Sequence, residues 1–411
     1  MSSSDLERLF DLLTGYPSFP WQRSLLQRLV AGEFPASASL PTGLGKTTVI
    51  VLWLIACYAA LRQGRKNFPR RLYFVINRRT VVDEATAFAD RIRRRIEAAD
   101  EPELADMKKT FSDAAAFDEN GCIGLTTLRG EFADNEEWRV DPARPSIVIG
   151  TIDKIGSKLL FAGYGDSHYS RPTAASLTAI SSYVVYDEAH LEPAFGVLLE
   201  SIKQFIAQEP TSLGSFHFTE LTATPRDDSG FQLTQDDYQD ATVRQRINAS
   251  KSLNIIPDQD DLVGTITAQA LHFKDRSEKI IVYVNSPEDA FQIFAELNGD
   301  KSVAGRAALL TGTIRGFERD QLDQHSSYSL FLRSDESVNA TIYLVSTSAG
   351  EVGADFDANH LITEGTTLDA LIQRLGRLNR RGRSPEARAI FVINTKKLAS
   401  EKEDAEKNGR F

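Results

Sequence analysis

Cysteine is nearly missing from this chain. Cys57 and Cys122 are the only two in 411 residues, which excludes a disulfide framework or a cysteine-based zinc cluster and predicts two buried, inert thiols. Long apolar runs are missing too. The most apolar stretch, Val49 to Leu61, has 13 residues, short of the roughly 20 that cross a bilayer, and is expected as a helix buried against a sheet. There is no basic excess, since 57 acidic residues against 47 Lys and Arg give a net charge of −10. A broad nucleic-acid-coating surface is therefore disfavoured, and any such contact must be local. The opening MSSSDLERLF lacks a basic start followed by an apolar core, so the chain reads as cytoplasmic.

What is present is an ordinary globular composition, 42% hydrophobic and 25% charged, on a scale of two to three domains. Its sharpest stretch is Leu40-Pro41-Thr42-Gly43-Leu44-Gly45-Lys46-Thr47-Thr48, which reads as a phosphate-binding loop turning a strand into a helix. Glycines 43 and 45 let backbone N–H groups face an anion, Lys46 reaches the outer phosphates of a nucleotide, and the Thr47 hydroxyl suits Mg²⁺. The helix that follows points its positive end the same way. The general pattern wants glycine at position 40, where this chain has Leu40. A Gly-rich turn with an incidental lysine is the plainer alternative.

Upstream, Gln22 has the donor and acceptor needed to read an adenine edge, with Phe19 or Trp21 available to pack on the ring; it equally suits a solvated helix start. The run Leu72 to Ile76 predicts a buried parallel strand. Arg78, Arg79 and Thr80 follow its C-terminal end, where α/β sheets place ligand loops, and either hold strand phosphates or cap the next helix. Residues 100 to 145 are expected to be polar and irregular, with a strand at Cys122 to Leu125 followed by Arg129. Ser146 to Thr151 predicts another strand. Tyr183 to His190 is a buried strand ending in Asp187 and Glu188, an arrangement suited to ATP hydrolysis if Asp187 holds Mg²⁺ through its waters and Glu188 orients or deprotonates the attacking water. Phe216 to Pro225 is a further strand, ending in Thr222-Ala223-Thr224.

The sequence turns polar near residue 229, so an inter-domain connection is expected over 229–252, after a first α/β domain at 1–228. A second α/β pattern covers 253–395, with strands expected at 280–284, 307–310, 341–345 and 389–393, and a charged tail at 396–411. This half has no P-loop. It offers Thr313 after one strand, a small polar run from Thr347 to Gly353 and Asp355 after another, and then Gln373-Arg374-Leu375-Gly376-Arg377-Leu378-Asn379-Arg380. On a helix, Arg377 and Arg380 project from one side, and the pair suits a γ-phosphate or merely a basic helix surface.

In this order, Gln22, the P-loop, Asp187 to His190, Thr222 to Thr224, Thr347 to Asp355 and Gln373 to Arg380 resemble the superfamily 2 helicases. The wording "LPTGLGKT", "GTIDKIGSKLLFAGYG", "YDEAHLEPAF" and "QRLGRLNRRG" resembles the helicase part of the type I CRISPR-associated helicase-nuclease. The resemblance implies two tandem RecA-like domains, each a mainly parallel sheet flanked by helices. It implies ATP and Mg²⁺ as cofactors, with catalytic roles for Glu188, Asp187, His190, Gln373, Arg377 and Arg380. Gln22, Thr42 to Thr48, Gly353 and Asp355 would line the nucleotide, Thr47 and Asp187 the metal. Thr222 and Thr224 would couple that site to single-stranded DNA, held by Arg78, Arg79, Thr80, Arg129, Thr151, Thr313 and Thr347. The expected activity is 3′-to-5′ translocation on DNA after recruitment by an RNA-guided surveillance complex. None of the six histidines is followed by aspartate, so the His-Asp nuclease of that family is expected to reside elsewhere. A nucleotide-gated binding scaffold and an RNA helicase are the alternatives.

Overall fold

The computed structural model describes residues 1–77, 79–117, 121–128, 137–208, 214–222, 230–258, 260–312, 326–332, 337–351 and 356–395. Two compact units divide the chain, Met1–Arg244 and Gln245–Phe411. Each carries one parallel sheet.

In the first unit the strands are β1 (Ser37–Ser39), β2 (Arg71–Ile76), β3 (Gly124–Leu128), β4 (Ser146–Thr151), β5 (Ser182–Tyr186), β6 (Phe216–Thr222) and β7 (Phe231–Gln232). Their spatial order is β3-β4-β2-β5-β6-β1-β7, and every pairing is parallel. All six residues of β2 and of β4 are buried. A strand with both faces covered needs no polar alternation, which is why these segments read as unbroken apolar runs.

The apolar stretch after the P-loop forms the helix Val49–Arg62, buried all round from Val49 to Ala60. The helices Ser3–Thr14, Pro20–Ala31 and Pro102–Ala114 pack against it. The last of these lies where an irregular stretch is predicted. Leu104, Met107 and Phe111 are buried along one of its faces, so a thin apolar stripe at helical spacing suffices once a fully apolar partner is present.

Residues 230–252 of the expected connection are also structured. Phe231–Gln232 pairs with the outer edge of the three-residue β1. The buried Asp237 carboxylate accepts from the Trp21 N–H (2.6 Å) and the Thr234 N–H (2.8 Å). A strand this short gains its hold from being flanked on both sides.

The second unit contains β8 (Ser252–Pro257), β9 (Lys279–Tyr283), β10 (Ala307–Leu310), β11 (Ile342–Ser346), β12 (His360–Glu364) and β13 (Arg388–Ile393). The order β10-β11-β9-β12-β13-β8 is again wholly parallel. Two strands escape the sequence pattern. β12 begins with a buried histidine and ends with a buried glutamate, and β8 is an edge strand that is mostly exposed.

Candidate functional site

In the first unit, β1 and β5 lie on either side of β6, so the turns leaving their C-terminal ends are brought together. The turn after β1 is the phosphate-loop sequence. Gly43 and Gly45 take φ of +85° and +77°, left-handed values that a side chain disfavours and that turn successive N–H groups inward. Lys46–Thr48 then forms a single 3₁₀ turn before the long helix begins at Val49. Gln22 pins this turn. Its amide donates to Thr48 Oγ1 (2.8 Å), which donates to the Gly45 carbonyl (2.7 Å), while its own carbonyl accepts from the Phe19 N–H (2.7 Å). Trp21 is fully buried in the core and cannot pack on a base, which corrects that part of the sequence reading.

The turn after β5 carries Asp187 to His190. The Lys46 ammonium sits 3.3 Å from Glu188 Oε1, with the two side chains 8% and 14% exposed. Glu188 Oε2 is buried without a hydrogen-bond partner, 3.5 Å from His190 Nδ1. Glu188 also has φ of +53°, an unusual conformation for a non-glycine residue that concentrates at functional turns. Its N–H donates to Asp187 Oδ1 (3.1 Å).

The last residues of β6 tie the two turns to one strand. The Leu40 N–H donates to the Thr222 carbonyl (2.9 Å), and the Ala189 N–H to the Leu221 carbonyl (3.0 Å). The two turns thus hang on adjacent residues of β6, Thr222 and Leu221. Thr151, at the end of β4, is largely buried.

In the second unit, the helix Leu368–Leu375 stops before Arg377, so Arg377 and Arg380 do not share a helical face as the spacing predicts. The chain is instead drawn into a bridge with Ala358. The Ala358 N–H donates to the Arg377 carbonyl (2.9 Å), and the Asn379 N–H donates to the Ala358 carbonyl (2.8 Å). Asn379 takes φ of +44° and locks the turn by donating to the Ser250 and Ser384 carbonyls. Asparagine tolerates that region better than most residues. Lys251 caps the helix by donating to the Leu375 carbonyl (2.8 Å). Burial first, then the Arg380 charge, lowers its pKa, while Asp357 opposes.

The sequence reading overlooked the group at the centre of this motif. Arg374 is buried and donates to Glu351 Oε1 (2.9 Å), Thr363 Oγ1 (2.7 Å), the Glu364 carbonyl (3.2 Å) and Asn285 Oδ1 (2.9 Å). The carbonyl of the same Glu351 accepts from Arg377 Nε (3.1 Å). Arg374 thus fixes Glu351, and Glu351 fixes Arg377. The available signal was an arginine set among Leu371, Ile372 and Leu375. Gln373, on this helix, and Thr347, the residue after β11, are buried as well. Arg78, Arg129, Thr224, Thr313, Gly353 and Asp355 lie outside the described residues, as do the side chains of Arg79 and Thr80.

Residues 16–227 match the family described as "Type III restriction enzyme, res subunit". The chain belongs to this family of superfamily 2 helicases. Residues 276–383 match a second family, "CRISPR-associated nuclease/helicase Cas3, C-terminal". Over 363 residues it is 26% identical to the CRISPR-associated helicase Cas3 of Thermoproteus tenax, covering 84% of this chain and 54% of that one. Among solved structures it is similar to the Mycobacterium smegmatis helicase Lhr bound to ssDNA and AMP-PNP (TM-score 0.59, 15% identity, 95% of this chain and 48% of that one). It is similar too to S. cerevisiae Dbp5 bound to RNA and ADP BeF3 (TM-score 0.56, 14% identity, 98% and 90%). These likenesses establish two RecA-like sheets. The chain spans about half the length of the T. tenax and M. smegmatis relatives.

Proposed function

We propose that this helicase is an ATP-driven, 3′-to-5′ single-stranded DNA translocase serving type I CRISPR interference in the cytoplasm. A surveillance complex would deliver it to DNA, and a His-Asp nuclease on another chain or segment would cut. The domain limits follow the sequence reading, 1–228 and 253–395, with residues 231–243 added to the first.

The observation that carries the reading is the Lys46–Glu188 pair beside two left-handed glycines. A triphosphate fits this turn, because inward N–H groups and the Lys46 ammonium complement its charge. Mg²⁺ fits the donor set as well. The hydroxyl of Thr47 and the carboxylate of Asp187 are hard oxygen donors, and no group of three or more His, Cys, Asp or Glu among the described residues forms a metal cage. Such a site suits an ion that keeps waters and binds phosphate. When bound, Mg²⁺ would supply neutralisation of phosphate charge.

In this reading Lys46 exchanges its carboxylate partner for phosphate oxygen, and Glu188 is released to orient or deprotonate water, with His190 beside it. Arg377 and Arg380 take the charge-neutralising role, a contribution typically worth roughly 10³ to 10⁵ in rate, with Gln373, Gly353 and Asp355 assisting. Gln22 and Thr42 to Thr48 line the nucleotide. Thr222 and Thr224 couple it to the strand, and Arg78, Arg79, Thr80, Arg129, Thr151, Thr313 and Thr347 hold the backbone, giving binding that weakens with salt.

The test is ATP turnover with single-stranded DNA, duplex DNA and RNA in parallel. Stimulation by single-stranded DNA, abolished in Lys46→Ala, is expected. Absence of stimulation refutes the motor, and turnover surviving Lys46→Ala removes the site.

A further inference from the structure

The helix Ile152–Leu159 ends in a loop over residues 160–170 that holds its apolar side chains away from the core. Leu160 is 60% exposed, Phe161 59%, Tyr164 64% and Tyr169 92%. The loop is nonetheless a firm structure. Leu160 and Ala162 N–H groups donate back to the Gly156 and Ser157 carbonyls (3.1 and 2.8 Å), and the Asp166 N–H donates to the Gly163 carbonyl (3.2 Å). The Asp166 carboxylate, 4% exposed, is clamped between Arg139 and Lys158, the latter at 2.9 Å. A Cβ at Gly163 would lie 2.0 Å from that carboxylate, so the turn closes on the clamp only with glycine. Phe161 is even held at φ of +58°, a region costly for a bulky residue.

Rigid display of aromatic rings to water is otherwise unfavourable and marks a binding surface. The charge pattern says for what. Between Lys154 and Arg171 the sole carboxylate is Asp166, already neutralised by its two cations. The Lys154 ammonium lies 5.7 Å from the centroid of the Tyr164 ring, and His168 packs edge-on against Tyr169. The segment from Lys154 to Arg171 thus presents exposed rings with no carboxylate of its own left unpaired. Exposed rings with the Lys154 ammonium beside one of them suit unpaired bases and their phosphates, because every base has a face to stack and a duplex hides it.

We propose that residues 160–170 form a stacking platform for single-stranded DNA, with Phe161, Tyr164 and Tyr169 as its rings. The proposal rests on the DNA-translocase reading above. It predicts tolerance of sequence and a marked preference for unpaired over duplex strands.

Anisotropy titrations of the full chain with a fluorescein-labelled oligo-dT test it. The double variant Tyr164→Ala/Tyr169→Ala should bind about 25-fold more weakly or worse, since each ring is worth roughly five-fold or more. Tyr164→Phe/Tyr169→Phe, which keeps both rings, should stay within about twofold of wild type. ATP turnover without DNA should be unchanged in both. Should the double alanine variant fold poorly, Tyr169→Ala, at a 92% exposed position, carries the same test with a roughly fivefold loss expected. Equal oligo-dT binding by wild type and alanine variants overturns the platform alone and assigns the loop to a protein partner. Failure of the wild type to bind oligo-dT overturns both the platform and the DNA-translocase reading.

Discussion

Replacing Glu351 by alanine isolates the energetic centre of the second unit. Arg374 is 1% exposed and Glu351 2%, so removing the carboxylate leaves a guanidinium in the interior with only neutral acceptors, Thr363, Glu364 and Asn285. Breaking a buried pair by deleting one partner costs about 3–5 kcal/mol, a large share of the roughly 5–15 kcal/mol that holds a domain together. With a urea slope near 2 kcal/mol per molar, the midpoint should fall by about 2 M. The chain provides a reporter for each unit. Its three tryptophans, Trp21, Trp53 and Trp138, all belong to the first unit. Tryptophan fluorescence should therefore hold its urea midpoint in Glu351→Ala, while a far-UV circular dichroism transition moves down. Glu351→Gln, which keeps an acceptor for Arg374 Nε, should lose about half as much or less. A dichroism midpoint within about 0.3 M of wild type would refute the claim that this pair anchors the motif around Arg377.

Three further outcomes are expected. Gly45→Ala keeps ordinary contact with Gln22 Nε2 at 3.5 Å but must hold φ of +77°, a strain of about 1–2 kcal/mol; fluorescent-nucleotide titration should show roughly tenfold weaker binding, whereas Gly64→Ala, strained alike in open space, should leave affinity intact. His360 is buried, stacked on Phe273 and pushed down to about 4 by burial first, then by Arg276 and Arg388, with Glu386 opposing and His272 adding to the depression. The unfolded chain takes up its proton below about 6.5, so this contribution is full above pH 6.5 and is lost as pH falls toward 4, about 3 kcal/mol in all; the second unit's urea midpoint should drop over that window, and His360→Gln should flatten the drop. Burial raises Cys57 to about 12 and Cys122 to about 11, so a thiol-reactive dye at pH 8 should label both only after unfolding, and rapid labelling of the native chain would contradict their placement.

The fold was legible wherever a segment is buried on both sides. Val49 to Leu61 and the runs of β2, β4, β5, β9 and β11 announce themselves because a doubly covered strand or helix has no polar face to dilute the signal. The pattern was silent where burial depends on a distant partner. The helix Pro102–Ala114 shows only a stripe of Leu104, Met107 and Phe111, and β7 is two residues that matter only because β1 needs a neighbour. β12 hid behind a histidine and a glutamate, whose burial is made tolerable by Glu278 and the Asn285 N–H.

The sequence by itself determined the parts of the candidate site: a glycine pair with Lys46, a strand ending in Asp187 and Glu188, and an arginine-rich motif in the second half. These are local, since each needs only its own turn to take shape. Only the tertiary structure decided that Lys46 rests on Glu188, that Trp21 belongs to the core, and that Arg377 leaves its helix to be held through Arg374 and Glu351. Strand order sets those pairings, and strand order is a property of how distant segments hydrogen-bond. An i to i+3 spacing fixes a shared face only while the helix lasts, and here the bridge between Ala358 and Leu378 ends it first.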